Sequence, residues 1–535
     1  MPRKANPKIV GFGERVEWII KYLDPNPLYA RFISKPADVL MAMNKAVGSG
    51  HFQLLSNYGE RRRSHPGFTE EWWRTALRTG NVSPDFIGWL YALYDDLKSP
   101  QMEAATLEQF LSLGLPIKAA RDFWGPSVRY FAENRKKLHA SAMAFYDQVQ
   151  DHGLDKSFPV PFPLLIQLGW IRAEPMALEE HTEAATLESP GPFRSFDQPG
   201  SLQGLSGDYI NYRGTLGASH RRAVRLEPQH NGEIFCARDI VTDDNGFIGF
   251  RYDLGRYFDY INTSEVLGTE LAKWALDHNS DAKLLPARFD LRGQPSDAFD
   301  LGNRATYPGV NCLSVFLNYS EPEKLKEPGK LKEPEKLKSG NYFLLHKRDE
   351  TQLQAQNSIH VVPAGGHQGF AKGAQREDTA IWRTVVREFA EELFNKEKLS
   401  NQSETWSDFA LHRDVKTILE TFFSGQNPAA KIYLHGFGLD PVTLKPEILC
   451  TIVIDWSKLT TPKPALKFNW ELQTNDPKVT RHQWVPLSKD ALVREATEQR
   501  QLIGDRRLDA LPAGAACMLL TALHYERLGL PEAAI

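Results

Sequence analysis

Residues 358–395 read SIHVVPAGGHQGFAKGAQREDTAIWRTVVREFAEELFN. A short apolar strand at 359–362 opens the run, Pro363-Ala364-Gly365-Gly366 reads as a turn, and helical periodicity follows from 378 to 395. Trp382, Val385, Val386, Phe389 and Leu393 recur at intervals of three and four, which makes one apolar stripe. Glu388, Glu391 and Glu392 fall on a different face, within a single turn. Carboxylates at that spacing repel one another unless a cation sits among them. Hard oxygen donors at that density suit Mg2+ or Mn2+, which take a few carboxylates and then substrate phosphates. In isolation such a run is a solvated acidic face paired with Arg383, Arg387 and Lys396. The strand and glycine turn ahead of the helix, and Arg387 directly beside Glu388, favour the cation.

The segment resembles the Nudix box of the Nudix hydrolases, G-x5-E-x7-R-E-φ-x-E-E-x-G-φ with φ apolar. Gly373 takes the Gly position, and Arg387-Glu388-Phe389-Ala390-Glu391-Glu392 matches the central run without a gap. The resemblance implies that Glu388, Glu391 and Glu392 hold Mg2+ or Mn2+ against a diphosphate, that Arg387 braces the loop–helix turn, and that Gly365, Gly366 and Gly373 belong to the substrate loop. It implies hydrolysis of a nucleoside diphosphate linked to another moiety. Three departures stand out. Thr379 occupies the upstream Glu position, although Glu377 and Asp378 adjoin it. Phe394-Asn395 replaces the Gly-φ ending. Gly365-Gly366 lies farther from the helix than the family's Gly-Gly. The glutamate cluster is kept while the loop that shapes it is altered.

Working outward, 310–319 and 341–348 are strand-like: Leu313, Val315 and Leu317 alternate, and Tyr342-Phe343-Leu344-Leu345 follows. Between them a hexamer occurs three times, EPEKLK, EPGKLK and EPEKLK over 321–338. A Pro in every copy interrupts helix and sheet alike, so the insert at 320–340 reads as an extended hairpin loop. Such an extension costs little, because closure entropy grows only logarithmically with length. Later strands are expected at 432–436 and 448–456. Trp484-Val485-Pro486-Leu487 resembles the family's closing strand, and 513–528 a terminal helix. Together these delimit a Nudix-like α/β/α sandwich over 305–535. His346, His360 and His367 lie near the box, and Trp406, Phe409, Tyr433 and Trp456 are candidates to stack a base. Ordinary strand, loop or packing roles are the simpler reading of each.

Upstream, 207–304 reads as a small α+β module. It has strands at 233–241 and 246–252 and a helix at 265–278, with Asn262 as N-cap and Glu265 completing a capping box. Residues 161–206 read as a Pro-rich segment and linker, and 1–160 as a helical domain. Residues 1–150 hold 20 Lys/Arg against 15 Asp/Glu, a surplus of +5, which leaves −8 for the remainder of a chain whose net charge is −3. The whole layout is similar to bacterial helix-turn-helix regulators with a degenerate Nudix-like C-terminal half. The similarity rests on Pro163-Leu164-Leu165 with Gly169-Trp170, Tyr257-Phe258-Asp259-Tyr260 with Thr263-Ser264-Glu265, and the 382–393 run. It implies DNA binding through the N-terminal half, for which Arg61, Arg62 and Arg63 are candidate phosphate contacts. Residues 80–93, with Ser83 as N-cap, would be the entering helix, yet Phe86, Trp89, Leu90 and Leu93 are apolar where base-reading side chains are polar. A packing or oligomerisation domain is the alternative.

The chain of 535 residues is long enough for about three or four domains, and its 41% hydrophobic content is that of globular proteins. Near-neutral charge argues against a uniformly basic nucleic-acid binder. The four cysteines are widely spaced among apolar neighbours, which suits buried thiols rather than a zinc ribbon. No stretch reaches the roughly 18–20 apolar residues of a membrane span, and the N-terminus shows no signal-peptide pattern. The expectation is a cytoplasmic multidomain protein without a membrane partner, with a mostly α N-terminal half, an α+β middle module and the sandwich. Its function is metal-dependent hydrolysis at the glutamates, or else sensing of a nucleotide-like effector that biases DNA binding.

Overall fold

The structure is a computed structural model. It describes residue 127, 130–131, 134–149, 161–179, 233–278, 298–320, 339–348, 358–370, 376–460, 463–469, 482–498, 500–501 and 507–532. Of the expected helical domain at 1–160, only its last helix falls within these residues; the earlier helices, Arg61, Arg62, Arg63, Gly373 and the hexamer repeat lie outside them. The chain divides into two compact units, 1–129 with 203–232, and 130–202 with 233–535; the second is described below.

This unit combines helices with one mixed sheet and a separate hairpin. Helix α1 is Arg135–Val149, and β1 is Ile171–Leu178. The hairpin is β2 (Glu233–Asp243) and β3 (Gly246–Arg256). Next come the turns Tyr257–Tyr260 and Ile261–Glu265, which run unbroken into α2 (Val266–Asp277). The remaining strands are β4 (Gly309–Tyr319), β5 (Gly340–Arg348), β6 (Ser358–Val361), β7 (Ala364–Gly366), β8 (Ala430–Leu439), β9 (Pro446–Asp455), β10 (His482–Pro486), β11 (Arg500–Gln501) and β12 (Arg507–Ala510). The long helices after the sheet begins are α3 (Ile381–Phe394), α4 (Lys489–Thr497) and α5 (Pro512–Leu523). Sheet order is β1-β8-β9-β4-β5-β6-β12-β11, with β7 added to β4 and β10 to β5.

β4 is central. It runs parallel to β9 and antiparallel to β5 and β7. The strands on either side of the repeat therefore do pair, Tyr319 opposite Gly340. Residues 309–316 of β4 are all buried, as in a strand covered on both faces. One cover is α5: Ala516, Cys517, Met518 and Leu520 share a core with Leu313, Val315, Leu345 and Leu449. The other is α3, which packs against β4 and β7. Its stripe is inside as expected: Val385, Val386, Phe389 and Leu393 have no exposed surface. Burial of each contributes about 2 kcal/mol. All four cysteines are buried free thiols. No helix among the described residues is long and apolar enough to cross a membrane.

Four local readings are corrected. The 161–206 segment is not linker throughout, because 171–178 forms β1. Pro175 hid it. A proline is tolerated here because β1 is an edge strand, and its register against β8 shifts between Ile171 and Met176. The Asn262 cap does not exist, since Asn262 lies inside the π turn of a helix already under way. That helix is started further back: the Asp259 carboxylate accepts from Arg256 N–H at 2.8 Å, as the third residue of a capping box does. Ala364-Gly365-Gly366 is a strand, not a turn, and pairs with Asn311, Val310 and Gly309. Finally, the terminal helix closes at Leu523 rather than 528.

The Phe394-Asn395 ending has a physical account. Asn395 adopts the left-handed conformation (φ 55°, ψ 50°) and its N–H bonds to Ala390 O, so it stops α3 as a glycine would. Arg172 fastens the hairpin to the sheet. Its guanidinium donates to both Asp243 oxygens at 3.0 and 3.1 Å and to the carbonyls of Gly246 and Phe247.

Candidate acidic site

The glutamates of α3 are not a solvated face. Arg387, Glu388 and Glu392 are buried, and the Glu391 side chain is only 16% exposed. Arg387 organises them. Its guanidinium donates to Gly366 O at 3.0 Å and Gln368 O at 2.8 Å, so it closes on the turn that follows β7. The same group donates to Glu388 Oε1 at 2.9 Å, and its Nε lies 3.6 Å from Glu391 Oε1. It also lies over the Phe370 ring at 5.5 Å. Burial works against the Arg387 charge, but Glu388 and Glu391 outweigh it and hold the guanidinium above its ordinary pKa. Bracing of the loop by arginine is thus a visible contact.

β7 supplies the floor. A Cβ on Gly365 would stand 2.2–2.4 Å from the Glu388 carboxyl atoms, so only glycine leaves that carboxylate its place. Ala364 N–H points to Glu392 Oε1 at 3.4 Å. One guanidinium faces the Glu388 and Glu391 carboxylates, with the buried Glu392 on the same helix turn. The imbalance appears at Glu391, whose carboxyl is pushed up to about 8, first by burial and then by Glu388, with Arg387 opposing.

The turn is held from other sides too. His367 is fully buried, and its Nδ1 lies 2.7 Å from Thr384 Oγ1, one helical turn before Glu388. Burial, and then the Arg387 charge, push this imidazole down to about 3, so it is neutral. The backbone N–H of His367 donates to Pro308 O at 2.9 Å. Tyr307 donates from Oη to Gln368 Oε1 at 2.8 Å, and its hydroxyl fills the space a Cβ on Gly366 would need. Tyr307, Thr384 and Gln368 were missed by sequence reasoning. Tyr307 stands 61 positions from its partner, and no local pattern marks such a contact. The glycines gave the one usable signal: Gly365-Gly366 in a strand announces side chains approaching its backbone.

Other candidates separate clearly. His346 and His360 face each other across β5 and β6 as buried strand residues. Trp406, Phe409 and Trp456 are core. Asp378, beside the missing upstream glutamate, is buried and accepts from Trp406 N–H at 3.1 Å, so it holds a neighbouring helix instead.

The donor set fits a divalent cation in three respects. All donors are hard oxygens, the carboxylates exceed the local positive charge, and a raised Glu391 is what a cation would relieve. Among the described residues, no three such side chains already converge as a cage. Arg387 stands between Glu388 and Glu391 instead. No known family model matches the chain, and no curated protein matches it.

Proposed function

We propose that this unit is an α/β/α sandwich of Nudix type, and that its acidic helix acts with Mg2+ or Mn2+ on a nucleoside diphosphate linked to another moiety. The observation that carries the reading is the confinement of Glu388, Glu391 and Glu392 with one arginine against a glycine-floored strand. Bound there, a divalent ion supplies Lewis-acid neutralisation of phosphate charge. Arg387 keeps the Gly366–Gln368 turn against the helix, and Gly365 gives Glu388 room. Glu391, its carboxyl pushed up to about 8 by burial and Glu388, would release its proton on holding the ion.

A second reading has its own support. Thr379 stands where the family's box has a further glutamate, and Asp378 is occupied structurally. A site so reduced can bind a nucleotide-like effector without turnover and bias DNA binding by the N-terminal half.

The separating experiment offers the purified chain ADP-ribose, NAD, sugar nucleotides, dinucleoside polyphosphates and nucleoside triphosphates with Mg2+ or Mn2+. Turnover that disappears in Glu391→Gln and Glu392→Gln supports the hydrolase. Thermal stabilisation by one of these compounds, with no turnover across the panel, supports the sensor.

A further inference from the structure

The middle module has no role in the reading above, yet it reaches the acidic site through the short segment 305–308 and through the His367 ring. Ala305 is held from the π turn Ile261–Glu265: its N–H donates to Thr263 Oγ1 at 3.0 Å, and its carbonyl accepts from Ser264 Oγ at 3.1 Å. Thr263 Oγ1 also donates to Asp259 O at 2.7 Å, so this turn is fixed to its own helix. Thr306 is held from β2, where Ala237 N–H donates to its carbonyl at 3.0 Å and its hydroxyl donates to Ala237 O. Tyr307 packs on Tyr257 and Tyr260, with ring centroids 6.1 and 5.5 Å away. Phe235 and Tyr252 of the hairpin lie against the His367 ring at 5.2 and 5.1 Å. From there the chain of contacts runs into the site, from Tyr307 Oη to Gln368 Oε1, and from Gly366 O and Gln368 O to Arg387.

The geometry points to Tyr307 as a positioning residue of the glutamate cluster, with the middle module as its support. Tyr307 acts on the glutamates through Gln368. It sets the side chain of Gln368, whose backbone carbonyl sets Arg387, which in turn sets Glu388 and Glu391. A π turn where Thr263 and Ser264 bond is an energetically unusual element in a helix, and such turns are often kept for a local purpose. Here the purpose is to present both groups to Ala305. The inference rests on the cation reading of the acidic site.

The test is Mn2+ binding to the full chain, followed by the loss of the free-ion electron paramagnetic resonance signal. Tyr307→Phe keeps the ring packing and removes the hydroxyl. It should weaken Mn2+ binding about fivefold, the effect of one lost hydrogen bond, and move the melting midpoint by no more than about 4 °C. Gln368→Ala removes the exposed partner without touching the core, and should give the same loss. The double variant should bind within about twofold of either single variant, because both remove one interaction. Wild-type binding by Tyr307→Phe or Gln368→Ala, or losses that add in the double variant, would overturn the proposal. Absence of Mn2+ binding by the wild-type chain overturns it together with the cation reading. Binding that Glu391→Gln weakens but Tyr307→Phe does not leaves the cation reading intact and removes only the role of Tyr307.

Discussion

Two buried polar clusters lie in the same sheet unit, and they are built on opposite principles. Under α5, His435 Nε2 meets Thr451 Oγ1 at 2.7 Å, Thr451 meets Thr521 at 2.6 Å, and Thr521 donates to Cys517 O at 2.7 Å. His435 Nδ1 faces His524 Nδ1 at 3.1 Å. Burial pushes His435 to about 3 and His524 to about 4, so both are neutral. Every group finds a partner without a net charge, and the cluster is complete in itself. On α3, Glu388 and Glu391 share one guanidinium, Glu392 is buried beside them, and Glu391 is left destabilised. Neutral clusters of the first kind specify a fold. A surplus of buried charge of the second kind lowers stability unless something compensates it, which is the mark of a site.

The contrast can be broken most forcefully at Arg387. Arg387→Met should cost about 3–5 kcal/mol in urea unfolding, since it leaves buried carboxylates with no cation. A cost below about 1 kcal/mol would mean that the carboxylates are not confined as described. In the neutral cluster, Thr451→Val leaves His435 and Thr521 each short of a partner. It should cost about 1–3 kcal/mol, with Mn2+ affinity unchanged; a change in affinity would mean that the two clusters are coupled.

The clusters also respond to pH with opposite signs. His435 and His524 of the neutral cluster have folded pKa values below the unfolded one, so the unfolded chain binds more protons as pH falls. Their contribution is lost below about pH 6.5, at up to about 1.4 kcal/mol per pH unit for each. Glu391 is raised, so its contribution is present below about 4.5 and is lost as pH rises through about 8. Melting curves from pH 5 to 9 should show both limbs. Glu391→Gln should flatten the alkaline limb and leave the acidic one; flattening of both would refute the separation. The smallest stability effect is expected at Gly365→Ala. Glu388 is a flexible side chain and can swing away, so the cost should be about 1 kcal/mol. Mn2+ affinity should nevertheless drop several-fold.

Some of this was legible in the sequence because it is local. The α3 stripe, the strands around the repeat and the arginine–glutamate run all depend on spacing within one element. β1 was hidden by Pro175, because nothing in eight residues reveals that a strand will lie at an edge. The start of the second helix was misplaced because a plausible Asn-x-x-Glu pattern fell inside it. Within the site, Arg387 and the glutamates were readable, while Tyr307 and Thr384 act through contacts that only the fold creates. Burial of the glutamates was also invisible, since an amphipathic pattern does not say that its polar face will be covered by β7.

Calorimetric titration of Mn2+ into the wild-type chain and Glu391→Gln at pH 7, in two buffers of different protonation enthalpy, tests the central claim most directly. Wild-type binding should release about one proton per ion, and Glu391→Gln should release none and bind at least about tenfold more weakly. No binding by the wild-type chain, or binding without proton release that Glu391→Gln leaves unchanged, would contradict it.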